Sequence, residues 1–163
     1  MKKIGFIALF LLGVISIHAQ KITKGSFSDL ANVKMVNISI DYKESKIDRM
    51  PFEAFLETEE KWEEAYKDIM LKLIKSANQN SGGIVYTSKQ TTDYQLIFKA
   101  IIVDRDGETS GNLLLLDKDG NVIGEAEKFN ANGGHFGSQT NLMGDASERL
   151  GKKIAQFIKK QIK

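Results

Sequence analysis

Apolar and polar positions first alternate in residues 33–42, "VKMVNISIDY", where Val36, Ile38, Ile40 and Tyr42 share one side and Asn37, Ser39 and Asp41 the other. A period of two predicts a strand with one buried and one wet face. The period then lengthens. Trp62, Tyr66, Ile69, Met70, Leu73, Ile74 and Ala77 recur at helical spacing, which predicts a helix over residues 58–79. Thr58 is placed to cap it, with Glu59 and Glu60 behind, Lys72 and Lys75 towards the far end, and Gly82 and Gly83 closing it. An aromatic stripe at this spacing reads as core packing rather than as a ligand slot.

Short strands follow at residues 84–88, 94–103, 113–116 and 122–129. In "YQLIFKAIIV", Tyr94, Leu96, Phe98, Ala100 and Ile102 fall on one side, and Ile97, Ile101 and Val103 on the other with Gln95 and Lys99. The repeated turns "VDRDG" and "LDKDG" predict an antiparallel meander joined by Asp-Gly hairpins. A second amphipathic helix is carried by Ala146, Leu150, Ile154, Phe157, Ile158 and Ile162, with Asp145 and Glu148 at capping-box spacing.

The order strand, helix, meander, helix predicts an α+β fold, with two main helices on a mostly antiparallel sheet of about four or five strands and one right-handed crossover. Residues 21–32 read as a polar lead-in anchored by Phe27 and Leu30. Pro51 is the only proline and no flexible linker divides the chain, so residues 20–163 form one domain.

The strand faces do not balance. The first strand has a polar back, whereas Ile97, Ile101, Val103 and one pair among Leu113–Leu116 offer an apolar one. Helices on both faces would bury that patch as core, and this arrangement is favoured. Helices on one face would leave it to a second subunit, a partner protein or the lead-in.

Residues 1–19, "MKKIGFIALFLLGVISIHA", have the layout of a secretory signal peptide: two lysines, an apolar run at residues 4–17 and a cut before Gln20. As a helix that run reaches about 21 Å, short of the roughly 30 Å hydrocarbon core. The protein is therefore expected to be exported, to the periplasm or beyond, and membrane association is not expected after cleavage. Loss of Lys2 and Lys3 leaves basic residues equal to the 21 aspartates and glutamates. A formally neutral chain argues against nucleic-acid binding, which needs a cationic excess. With no cysteine, the fold has no disulfide framework, no lipidated cysteine and no thiolate chemistry.

One stretch invites a catalytic reading: residues 129–141, "FNANGGHFGSQTN". Gly133, Gly134, His135, Phe136 and Ser138 form the candidate loop. Its glycine spacing does not match a phosphate cradle. Catalysis by His135 would require Ser138 or Asp145 beside it as nucleophile or orienting acid. A connector with an exposed imidazole is the favoured reading. Asp104, Asp106, Asp117 and Asp119 fail the register of a calcium loop, and a single histidine outside residues 1–19, without cysteine, does not make a zinc set. No metal or cofactor is expected. Lys152, Lys153, Lys159, Lys160 and Lys163 could lie on an anionic membrane, but suit equally a solvated helix end.

Taken together, "KGSFSDLANVKMVNISIDY", "EEKWEEAY", "TTDYQLIFKAIIVDRDG" and "ERLGKKIAQFIKK" resemble a group of small exported proteins of Bacteroidota type. More distantly, the element order and the strand opening Thr92-Asp93-Tyr94 are similar to periplasmic accessory domains, such as curli-secretion lipoproteins and penicillin-binding-protein activators. The resemblance transfers no functional residue, and the favoured reading of the chain is a non-enzymatic binding or envelope-assembly role with a protein partner or a homo-oligomer. Ile97, Ile101 and Val103 would be its interaction surface together with the 130–141 loop. The alternatives are a small hydrolase using His135 and a membrane-surface protein using the last helix.

Overall fold

The computed structural model describes residues 20–163, so the signal peptide assigned to residues 1–19 lies outside the described residues. Strand β1 (Lys21–Gly25) and a 3-10 turn (Ser28–Asn32) precede β2 (Met35–Asp41), the short pair β3 (Lys46–Ile47) and β4 (Met50–Pro51), and helices α1 (Phe52–Thr58) and α2 (Trp62–Asn80). Then come β5 (Val85–Thr87), β6 (Gln95–Val103), β7 (Thr109–Leu116), β8 (Val122–Ala131) and α3 (Gln139–Gln161). The fold is α+β. The strands make one sheet in the order β1–β8–β7–β6–β2–β5, with β3 beside the end of β6. It is antiparallel from β1 to β6 and parallel from β6 through β2 to β5.

This topology sets the direction of the helices. β2, β6 and β8 all run one way, and the chain reverses after β2 and after β8. Hence α2 and α3 run parallel to each other. Lys72 meets Asp145 near the start of α3, and Gly82, beyond the end of α2, meets Lys159 near the end of α3. Both helices cover the same face. Along β2, Val36, Ile38 and Ile40 are buried, while Asn37, Ser39 and Asp41 are half-exposed. The expected arrangement with helices on opposite faces is therefore corrected. Two features explain it: the other face carries Lys99, Asn112 and Glu125, which want water, and Gly151 lets α3 lie directly against the Leu73 and Ala77 backbone of α2.

Four local expectations also change. The helix expected over residues 58–79 is α2 and starts at Trp62; Thr58 instead ends the separate helix α1, its Oγ1 donating to the Phe55 carbonyl at 2.8 Å. α1 folds back so that Phe52 and Phe55 meet Trp62 edge-on, with centroids 5.2 and 5.8 Å apart. The aromatic stripe is thus core. α3 starts at Gln139 rather than at Asp145, because the Ser138 hydroxyl caps it by accepting from the Asn141 N–H at 3.3 Å. Part of the lead-in, Lys21–Gly25, is an edge strand on β8, while Phe27 and Leu30 are buried anchors as expected.

The fourth change is in β6. A bulge between Ala100 and Ile102 shifts its register against β7. Ile102 is turned outward, 52% exposed, and Val103 is turned into the core. The sequence pattern had assigned them the other way round, because a strict period of two cannot register an extra residue. Among the described residues, no helix is long and apolar enough to cross a membrane.

Candidate functional site

Three loops meet where β2, β6 and β8 finish. The first joins β3 to β4 through Asp48 and Arg49, both left-handed at φ 44° and 71°. Two-residue hairpins of this shape prefer Asn-Gly, so each side chain here holds a strained backbone at a cost of about 1 kcal/mol or more. The Asp48 N–H secures the hairpin to the Val103 carbonyl at 2.9 Å. Nothing in "KIDRMP" announces this turn.

The second is the turn after β6. Asp104 Oδ1 accepts from the backbone N–H groups of Asp106 (2.9 Å) and Glu108 (2.8 Å), and the Gly107 N–H donates to the Asp104 carbonyl at 3.0 Å. The second motif repeats this geometry: Asp117 Oδ1 accepts from Asp119 at 2.9 Å and Asn121 at 2.8 Å. Hydrogen bonds from the Asn121 side chain and backbone hold the Asp117 carboxyl below its usual range. These first aspartates are spent on their own turns. Among the described residues, no group of three or more histidine, aspartate or glutamate side chains is placed to hold a metal.

The third loop, residues 132–138, contains the candidate residues. Gly133 packs against the Asp106 carbonyl and Gly134 against the Asp145 carboxylate, and a Cβ at either would collide. Their role is close approach rather than anion binding. Arg149 Nη1 donates to the Asn132 carbonyl at 2.6 Å and to the Gly133 carbonyl. Lys153 Nζ donates to the Asn130 carbonyl at 2.6 Å, and Gln139 Nε2 donates to the Asp104 carbonyl at 2.8 Å. Lys153, expected on a solvated helix face, thus holds the loop's root, and Arg149 straps the loop itself. Its tip, however, points outward: His135 is exposed and Phe136 is 92% exposed.

The three hydrolase candidates are not brought together. Ser138 caps α3 and shares a hydrogen bond with Thr140 Oγ1 at 3.0 Å. Asp145 Oδ1 accepts from Lys72 Nζ at 2.8 Å. No hydrogen bond among the described residues links His135 to either.

The same end collects exposed apolar side chains. Met50, Leu56, Ile101, Ile102 and Phe136 are all there. Lys46, Asp48, Arg49, Ile102, Asp104, Arg105 and Asp106 line an open groove of about 770 Å³ beside them, with balanced charge. On the uncovered sheet face, Ile97 lies half-buried between Ser39 and Leu114, and Ile101 is exposed. Val103 is buried and leaves this surface. Lys99, paired with Glu44 at 3.1 Å, makes the neighbourhood polar. The apolar island is therefore smaller than the strand pattern suggested, and the stronger concentration lies at the strand ends.

A second groove runs between α2 and the edge of β2, past Ile38, Tyr66, Leu71, Ile74 and Tyr86. Pairing of β5 with β2 stops at Asn37–Thr87. The Tyr66 hydroxyl then covers the exposed edge by donating to the Ile40 carbonyl at 2.8 Å. The Tyr86 hydroxyl is buried without a partner among the described residues, and burial pushes its ionisation well above the usual phenol range.

No protein-family model matches this chain, and no curated protein matches it. Solved structures similar to it include a PelC dodecamer from Paraburkholderia phytofirmans, at 14% identity and TM-score 0.43, covering 85% of this chain and 97% of that one. A dodecamer of a PelC point variant from the same organism gives 13% identity and TM-score 0.40, covering 86% and 95%. A crystal structure of an uncharacterised protein gives 13% and 0.36, covering 80% and 88%. Likeness at this level assigns no function.

Proposed function

We propose that this chain is an exported, non-enzymatic binding domain of the cell envelope, whose contact surface is the end where β6 and β8 finish. The observation that carries this is Phe136, almost wholly exposed on a loop whose roots are fastened by Arg149 and Lys153. An exposed aromatic on a held loop loses little entropy on binding, which is the character of an interface anchor. Met50, Ile101 and Ile102 are further apolar side chains exposed at the same end. The signal-like leader and the resemblance to small exported and periplasmic accessory proteins support export and an assembly role. Catalysis by His135 has no such support, since Ser138 and Asp145 are engaged elsewhere.

The test uses purified protein as bait in an envelope extract, with the Phe136→Asp variant alongside. The wild type retains a specific protein that the variant loses, and both unfold at the same denaturant midpoint. Equal capture by the two would remove this end as the contact surface. Hydrolysis of a model ester or peptide that His135→Ala abolishes would replace binding by catalysis.

A further inference from the structure

Charge is sorted along the helix layer. Residues 53–64, "EAFLETEEKWEE", place Glu53, Glu57, Glu59, Glu60, Glu63 and Glu64 around the junction of α1 and α2, with Lys61 the only cation. That junction lies at the same end as Leu56 and Phe136. Beyond it the carboxylates stop: none occurs from residue 69 to 92 or from residue 149 to 163. Because α2 and α3 run parallel, both finish at the opposite end. There Lys159, Lys160 and Lys163 stand exposed beside the half-buried Ile162. Within the helix layer, the end at the α1–α2 junction is acidic and the end where α2 and α3 finish is basic. Antiparallel helices would have mixed the two.

We infer that the acidic end of one copy docks on the lysine end of a second copy, head to tail. Charge complementarity names the occupant: this chain carries both halves of the contact, and a chain neutral without its leader builds up no net repulsion as copies are added. Such a contact joins unlike surfaces, so it propagates into a ring or a filament rather than closing as a two-fold dimer. It also gives the terminal lysines a role that needs no membrane. The inference rests on reading the strand-end surface as a binding surface and adds what binds there.

The test is sedimentation velocity of the purified protein over a range of concentrations, at low and high salt. The wild type is expected to gain mass with concentration at low salt and to fall back to monomer in high salt, where screening shortens the reach of surface charges. Two charge-reversed variants, Glu57→Lys/Glu60→Lys and Lys159→Glu/Lys160→Glu, should each associate at least about tenfold more weakly. An equimolar mixture of the two should regain the larger species, because each then offers the other a complementary end.

A wild type that stays monomeric throughout overturns the inference, as does a mixture that fails to reassemble. So does a loss of unfolding stability in the variants with no change in mass, which would assign these charges to the helix dipoles alone. Phe136 is left untouched, so a monomeric wild type that still captures a different protein through Phe136 defeats self-association without defeating the binding surface.

Discussion

Lys72 Nζ lies 2.8 Å from Asp145 Oδ1, tying the middle of α2 to the second turn of α3. Both side chains keep about two-fifths of their surface in water (41% and 40%), so solvent screens the attraction and the pair is worth under about 1 kcal/mol. A double-mutant cycle with Lys72→Met and Asp145→Asn, measured by urea unfolding, should give a coupling below that figure that shrinks with salt. A coupling above about 2 kcal/mol would show a pair more enclosed than its exposure indicates.

The helix layer depends more on a missing side chain. Gly151 sits against the Leu73 carbonyl, and Gly151→Ala must push α3 away from α2. Overpacking of this kind costs about 1–3 kcal/mol, and the loss should appear in the urea midpoint. An unchanged midpoint would mean that the helices are not in direct backbone contact.

The loop clamp can be tested apart from the loop tip. Arg149→Met removes two donations to the Asn132 and Gly133 carbonyls. Because Arg149 is itself exposed, the cost should be no more than about 1 kcal/mol, but amide exchange in residues 132–138 should quicken. Exchange unchanged in the loop would mean that its packing on Asp106 suffices. His135→Ala should leave stability within about 0.5 kcal/mol, as expected of a surface site.

How far was this legible from the sequence? Strands with clean alternation and the two long apolar stripes were, because burial on one face imposes a period that survives into the residues. What alternation could not show were the places where the backbone departs from period. The bulge at Ala100–Ile102 exchanged the faces of Ile102 and Val103, and the Asp48–Arg49 turn uses residues that seldom make it. The helix start was misplaced because both Ser138 and Asp145 can cap, and only tertiary contact with Lys72 claims Asp145. Of the candidate site, the glycines, His135 and Phe136 were visible as a loop. Their fastening by Arg149 and Lys153 was not, since a cation bonded to a distant carbonyl looks in sequence like any solvated lysine or arginine.

Alkaline pH gives a further test of the core. Burial holds the Tyr42, Tyr66 and Tyr86 phenols above their ordinary range. The unfolded chain ionises them near pH 10, so the folded state keeps its full stability below that pH and loses it as pH rises, by roughly 1.4 kcal/mol per pH unit for each of the buried Tyr42 and Tyr86 and by less for the half-buried Tyr66. Urea midpoints should therefore be flat up to about pH 10 and then fall. Tyr86→Phe should flatten the fall and raise stability at neutral pH by about 1 kcal/mol, because its buried hydroxyl has no partner among the described residues. A loss on that substitution would reveal a hydrogen bond at this hydroxyl.

The most direct test of the binding surface is site-specific photo-cross-linking in living cells, with a benzophenone amino acid in place of Phe136 and, separately, in place of Leu71, which is exposed on α2 at a distance from the strand ends. The binding account requires a discrete macromolecular adduct from position 136, whether a second copy or another protein, and little from position 71. No adduct at 136, or equal adducts at both positions, would contradict it.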